Sequence, residues 1–464
     1  MNLPLALHPE NPHYFLFRGK PTVLVTSGEH YGAVVNLDFD YIRYLNELDA
    51  CGLNHTRIWA GTYREITDSF NIEENVLAPN RFICPWARGN VRGNADGGMK
   101  FDLAQWDTAY FARLKDFMRE TSRRGIVVEM NLFCPNYNEG FWKTSPMNPA
   151  NNVQGIGPDD NNDLHALKHP EITAVQEAVT RKIVRELADF DNLYYEVCNE
   201  PYFGGVTREW QHHIADIIVE TEKDWPHRHL ISMNIANGGL KVEQPHPAVS
   251  IFNFHYCTPP DAVALNCHLN KVIGENETGF RGGEDAVYRS EGWDFLLAGG
   301  AIYNNLDFSF TVNHPDGTAK ISAPGGGGPV LRRQLKVLKE FMDGLDFVRM
   351  TPDNGVIKGG VPQDATIHVL VEPGKQYAAY LKHASLGIPP NWPDWQKREP
   401  IAIHQTTRAE LQLELPVGNY RVTWTHPASG KIEPSQRLQY PGGIATLVSP
   451  DYLEDIALVV KIEE

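Results

Sequence analysis

Over roughly the first 345 residues, short apolar runs alternate with segments whose apolar positions recur at helical spacing. "KPTVLVTSGEH" reads as a first strand and is followed by a helix from Phe39 to Ala50 with Gly52 as its stop. "LNHTRIWAG" is a second strand. A long polar excursion rich in Asn, Arg and Gly comes next, then a helix from about Asp107 with Tyr110, Leu114, Phe117 and Met118 on one face and Gly125 at its end. "IVVEMNLF" and "NLYYEVCNE" are the third and fourth strands, with a helix from Ile172 to Ala188 between them. "HLISMN", "SIFNFHY", "KVIGENE" and "AIYNNLDFSF" complete eight strands, and a helix from about Val330 to Met342 follows the Gly325–Gly328 run. Eight strands, most of them followed by a helix, predict an α/β fold, a (β/α)8 TIM barrel with insertions. A doubly wound sheet is the alternative, but the first strand-helix turn lacks its GxGxxG fingerprint.

Beyond about residue 346 the period changes. "ATIHVLVEPG", "QYAAYLKH", "ELQLELPVGNYRVTWTHPASGK", "GIATLVSP" and "IALVVKIEE" alternate apolar and polar positions between Gly, Pro and Ser turns, and no helical stripe remains. The expected organisation is a catalytic barrel over residues 1–345 and a C-terminal antiparallel β-sandwich over 346–464. Tyr420 and Trp424 alternate on one strand face, as core residues do.

Composition narrows the partners. The chain has 42 Lys plus Arg against 58 Asp plus Glu, a net charge of -16, which disfavours nucleic acid and anionic membrane surfaces. No run is long enough to span a bilayer, and the N-terminal "MNLPLALHPENPHYFLFRGK" has no basic segment before its short apolar patch, so a cytoplasmic protein is expected. The six cysteines lack zinc-like spacing and are expected as free, buried thiols. Oligomeric state is left open.

The strand ends carry the chemistry. Barrel enzymes place their reactive groups at the C-terminal ends of the strands. Ionisable and polar residues collect there: Glu29 and His30 after strand one, Arg57 and Trp59 on strand two, Asn131 on strand three, Asn199 and Glu200 on strand four, His255 and Tyr256 on strand six, Glu275 and Glu277 on strand seven. Two carboxylates at one rim suit glycoside hydrolysis, in which one donates a proton and the other attacks the anomeric carbon.

"NEP" closing strand four, "ETG" closing strand seven, the early Arg and the "HY" pair together resemble clan A of the glycoside hydrolases, with the cellulase-like family five as the nearest pattern. The resemblance implies that Glu200 is the acid/base and Glu277 the nucleophile of a retaining β-glycosidase acting on small glycosides or oligosaccharides. It further implies that Asn199 binds the sugar 2-hydroxyl, that Arg57 steadies the nucleophile, and that His255 and Tyr256 line the substrate. No cofactor and no metal are implied, and the partner is a carbohydrate substrate.

The clan often has His ending strand three and Trp ending strand eight, where this chain has Asn131 and the run Asn304, Asn305, Asp307. Glu29 and His30 have no counterpart in the clan and are either sugar-hydroxyl ligands or a structural ion pair. Trp59, Trp86 and Trp142 are either stacking platforms or ordinary packing. Of Glu275 and Glu277, which share parity, Glu275 is expected one layer deeper, holding Arg57 or another buried donor. Two rival readings remain. One is a metal-dependent sugar isomerase with Glu129, Glu200, His255 and Glu277 as ligands; the other is a non-catalytic carbohydrate-binding protein on the same fold.

Overall fold

The computed structural model describes residues 3–28, 31–67, 69–71, 78–321, 325–387 and 403–463. Eight parallel strands form a nearly closed barrel, in chain order Leu24–Thr26, His55–Trp59, Val127–Phe133, Leu193–Cys198, Leu230–Asn237, Val249–His255, Val272–Thr278 and Ile302–Asn305. Each adjacent pair from the second strand round to the first runs parallel. The first and second strands share no ladder, and Asn54 closes the seam. Its amide donates to the Val23 carbonyl and its Oδ1 accepts from the Val25 N–H, each at 2.9 Å, so a side chain satisfies backbone groups that a neighbouring strand would otherwise take.

The expected first strand divides at Val23. Lys20–Thr22 pairs antiparallel with Phe15–Phe17, which pairs with Ala6–Leu7, and only Leu24–Thr26 enters the barrel. Pro21 explains the division, since a residue without an N–H is poorly suited to a central strand. The polar excursion after strand two contains an antiparallel hairpin, Trp86–Arg92 with Met99–Trp106.

Helix boundaries follow the caps. Asp40 accepts from the Ile42 and Arg43 N–H groups, so the first long helix starts at Tyr41 and not at Phe39. Asp107 does the same for Thr108–Arg123. Further helices span Pro170–Glu186, Arg208–Thr221, Asp285–Leu297 and Pro329–Asp343. Asp285–Leu297 has no polar face, because every residue from Val287 to Leu297 is buried. Its surroundings explain this. It lies between the barrel and the C-terminal strands, where Arg289 meets Asp455 at 2.9 Å and Asp294 meets Lys382 and His368 at 2.6 Å.

After the barrel, seven strands form an antiparallel sheet in the order Thr351–Pro352, Ala365–Glu372, Gln376–His383, Asp455–Ile462, Glu410–Thr425, Ile357–Gly359, with Gln436–Val448 also paired to Glu410–Thr425. The fold is thus a TIM barrel followed by a C-terminal β-sandwich. Tyr420 and Trp424 lie in a second apolar core with Leu411, Leu413 and Val460, separate from the barrel core. Among the described residues only 3-10 turns interrupt these strands, and no helix is long and apolar enough to cross a membrane. All six cysteines are unpaired; five are buried and Cys267 is exposed, against the expectation that all would be inside.

Candidate active site

Arg57 organises the upper barrel. Its side chain is 0% exposed, and a guanidinium so placed needs every donor matched. Nε donates to Glu129 at 2.7 Å, Nη1 to Glu277 at 2.9 Å and Nη2 to Asn199 Oδ1 at 2.7 Å. One cation therefore joins strands two, three, four and seven. Glu129 also accepts from Tyr194 at 2.6 Å and from Asn276 at 2.9 Å. Burial pushes its carboxyl up, but Arg57 and the other neighbours outweigh that and hold it below the usual carboxylate range.

Glu196 lies beside this pair, 3.5 Å from Arg57, accepting from Asn253 at 2.6 Å. Burial and the nearby Glu129 charge push it well above its ordinary value. Three carboxyls thus surround one guanidinium, and at Glu196, the most distant of them, burial and the Glu129 charge prevail over the cation.

Glu277 and Glu200 stand at the mouth, 6% and 8% exposed. Glu277 receives Arg57 on Oε2 and the Tyr256 hydroxyl on Oε1. Burial pushes its carboxyl up, but His255, Arg57 and the Tyr256 hydroxyl together bring it below the ordinary range, so it is an anion at neutral pH. Glu200 has a different shell, made of phenols. Tyr137 donates to Oε2 at 2.5 Å and Tyr202 to Oε1 at 3.2 Å. His255 Nδ1 lies 3.5 Å from Glu200 and 3.6 Å from Glu277, between the two. Oxygens of the two carboxyls and this nitrogen fall within 4.8 Å of one another.

Backbone at both places is in the left-handed region that side chains other than glycine's rarely adopt. Glu200 has φ +41° and Tyr256 φ +51°. Each turns its side chain back over the strand ends, where a regular strand would have carried it away.

A cavity of about 430 Å³ opens over these groups. Asn199, Glu200, Tyr256 and Glu277 line it directly, with Trp59, Tyr63, Glu65 and Cys134. Tyr137, Phe203, Asn237, Phe70, Phe280, Leu306 and Phe308 supply the rest. Arg57 and His255 stand behind the lining. Asn131, expected among the sugar ligands, is fully buried and donates to Glu129 at 3.2 Å, which places it in support of Arg57. Glu29 and His30 lie outside the described residues. Of the three tryptophans, only Trp59 reaches the cavity, whereas Trp86 and Trp142 are packed in the core.

The strand-seven assignment needs correction in one respect. Of the donors expected for Glu275, Arg57 is held by Glu129 instead, and Glu275 takes another buried donor, a backbone N–H. Between strands six and seven the register runs Phe254 to Glu275 and then His255 to Glu277, so Asn276 is the extra residue of a bulge. The bulge breaks the parity on which the sequence argument relied. Asn276 points inward to Glu129 and Glu196, and Glu275 accepts from the Cys257 N–H at 2.7 Å. Strand eight differs in a similar way. Asn304, Asn305 and Asp307 are structural, Asp307 taking Arg332 at 2.7 Å and Ser27 at 2.9 Å, while the alternate residues Leu306 and Phe308 face the cavity.

The sequence reading missed Tyr137, Tyr202, Phe203 and Asn237. Tyr137, Tyr202 and Phe203 follow strand ends and Asn237 closes the fifth strand, and the aromatic cluster after "NEP" was the available signal for two of them. For the isomerase reading, Glu200, His255 and Glu277 are close enough to share an ion, but Glu129 is committed to Arg57 and Tyr194.

No protein-family model matches the sequence, and no curated protein does. Solved structures do match. A glycoside hydrolase is 12% identical over 100% of this chain and 97% of its own, with a TM-score of 0.62. A family 5 glycoside hydrolase from Bacteroides vulgatus is 12% identical over 99% of this chain and 93% of its own, with a TM-score of 0.61. A family 30 subfamily 8 xylanase from Clostridium acetobutylicum is 10% identical over 99% and 100%, with a TM-score of 0.51. At these identities the likeness is one of fold. The chain thus shares its fold with solved glycoside hydrolases, among them members of families 5 and 30.

Proposed function

We propose that the protein is a retaining glycoside hydrolase that cleaves β-glycosidic bonds of small glycosides or oligosaccharides, with Glu277 as nucleophile and Glu200 as acid/base. The observation that carries this reading is the approach of the two carboxyls, one oxygen of each lying within 4.8 Å of one of the other. Retaining enzymes hold their carboxyl groups about 5–5.5 Å apart, and inverting ones leave a wider gap for water. The fold shared with glycoside hydrolases adds to it.

In the first step Glu277 attacks the anomeric carbon while its bond to the leaving oxygen breaks, and Glu200 gives that oxygen its proton. In the second, water attacks the same carbon, the Glu277 ester bond breaks, and Glu200 takes the water's proton. Arg57 and Tyr256 keep the attacking carboxylate ionised and oriented. Asn199, whose oxygen takes Arg57 and whose amide N–H goes to the Tyr137 hydroxyl at 3.0 Å, lines the cavity and serves as the 2-hydroxyl ligand. Residues 346–464 contribute stability and not chemistry, since every residue of this site precedes them.

NMR of the first-formed sugar tests the stereochemistry. A β-glycoside should release the β-anomer first, and early α-anomer would refute retention. Turnover should survive EDTA; its loss, restored by a divalent ion, would favour a metal-dependent reaction on Glu200, His255 and Glu277.

A further inference from the structure

We infer that the leaving group of the substrate is a flat apolar moiety, an aromatic aglycone, and not a second sugar. The inference rests on the hydrolase reading, because it uses Glu200 to locate the leaving group. An acid that protonates the glycosidic oxygen must face that oxygen, so the departing moiety lies against whatever surrounds Glu200.

What surrounds it is rings. Tyr137, whose hydroxyl is already given to Glu200, packs edge-on against Phe203 with centroids 5.7 Å apart and against Phe70 at 5.4 Å. Phe203 follows Glu200 on the same turn, its N–H bonded to the Glu200 carbonyl at 3.1 Å. Phe203 is 43% and Phe70 38% exposed, and both line the cavity. Two large aromatic side chains left half-open beside a reactive carboxyl leave apolar area for a ligand to cover.

The two hydroxyls that flank Glu200 on this side are engaged, Tyr137 giving its proton to Glu200 Oε2 at 2.5 Å. The single Tyr202 proton is within reach of both Glu200 Oε1, at 3.2 Å, and Asn237 Oδ1. A sugar in this position could lay a C–H face on the rings, but the hydroxyls at its rim would meet mainly apolar ring edges, which is unfavourable for each hydroxyl so buried. An aromatic ring would stack on Phe203 or meet it edge-on.

Two non-hydrolysable probes separate the possibilities: methyl and 2-phenylethyl 1-thio-β-D-glycosides, each in gluco, galacto, manno and xylo configuration, measured by isothermal titration. In the configuration that binds, the 2-phenylethyl probe should be at least about tenfold tighter than the methyl probe, as covering about half a phenyl ring implies. In Phe203→Ser that ratio should fall toward one, and Phe70→Ser should lower it in part. Equal affinities in the wild type, or a ratio unchanged in both variants, would overturn the inference. So would a 1-thio-disaccharide of the same glycone that binds more tightly than the 2-phenylethyl probe. If free 2-phenylethanol binds the cavity and no thioglycoside does, apolar recognition is supported and the hydrolase reading fails.

Discussion

The surroundings of Glu277 and of Glu200 are built from different chemistry, although the two carboxyls nearly touch. Around Glu277 are a buried guanidinium, an imidazole and a phenol, which together overcome burial and favour the anion. Around Glu200 are two phenols, the same imidazole at 3.5 Å and the rings behind them, and among the described residues no Arg or Lys pairs with it. The difference teaches that residue type does not set the role. The neighbours do, and they come from strands and loops far apart in the chain.

The sharpest way to break the comparison is to remove each carboxyl in turn. Glu277→Ala should lower kcat by about 10⁴- to 10⁶-fold on every substrate, as loss of a nucleophile does. Glu200→Ala should cost about 10²- to 10⁴-fold on substrates with basic leaving groups and far less on activated aryl glycosides. Steady-state kinetics on both substrate types would show the asymmetry; equal losses everywhere would erase it.

Arg57→Met should reduce stability by about 3–5 kcal/mol, because it leaves the Glu129 and Glu277 carboxylates buried without their shared cation. Urea unfolding measures this. A loss under about 1 kcal/mol would mean that these carboxyls are neutral in the folded protein, contrary to the account.

Tyr256→Phe removes one hydroxyl from Glu277 and should lower kcat/KM about tenfold, the scale of a hydrogen bond to a charged group. The sign of the pH effect follows from the same bond. It helps hold the carboxyl low, the reaction needs the anion, and so the acidic limb of the pH profile should move to higher pH. An unmoved limb would show that Tyr256 does not tune Glu277.

The smallest effect concerns Glu196. Its folded value is raised, so its contribution to stability is complete below its unfolded pKa of about 4.3 and declines as pH rises toward the folded value. Glu196→Gln, neutral at every pH, should match the wild type in Tm near pH 4 and exceed it by a few degrees at pH 8. A variant that is less stable at both would mean that Glu196 is ionised against Arg57.

Much of this was legible in the sequence, for physical reasons that also explain the gaps. Eight apolar runs with turn residues between them marked the barrel, and Glu200 and Glu277 were conspicuous because carboxylates seldom close such runs. Glu129 and Glu196 were harder, as each sits inside an apolar run with nothing local to say that Arg57 lies opposite. Parity assigned Glu275 to the interior and failed at the bulge opposite His255, which depends on the neighbouring strand and leaves no mark on strand seven itself. Tyr137 and Phe203 belong to loops, where no period constrains a side chain's direction. The Asp285–Leu297 helix was missed because it is buried on every side and shows no stripe.

Azide rescue of the two alanine variants tests the division of labour most directly. With a β-glycoside bearing a good leaving group, Glu277→Ala plus azide should form the α-glycosyl azide, since azide then attacks from the vacated nucleophile's side. Glu200→Ala plus azide should form the β-azide, through an ester on the intact Glu277. Exchange of the two products between the variants, or an α-azide from Glu275→Ala with Glu277→Ala still active, would contradict the assignment.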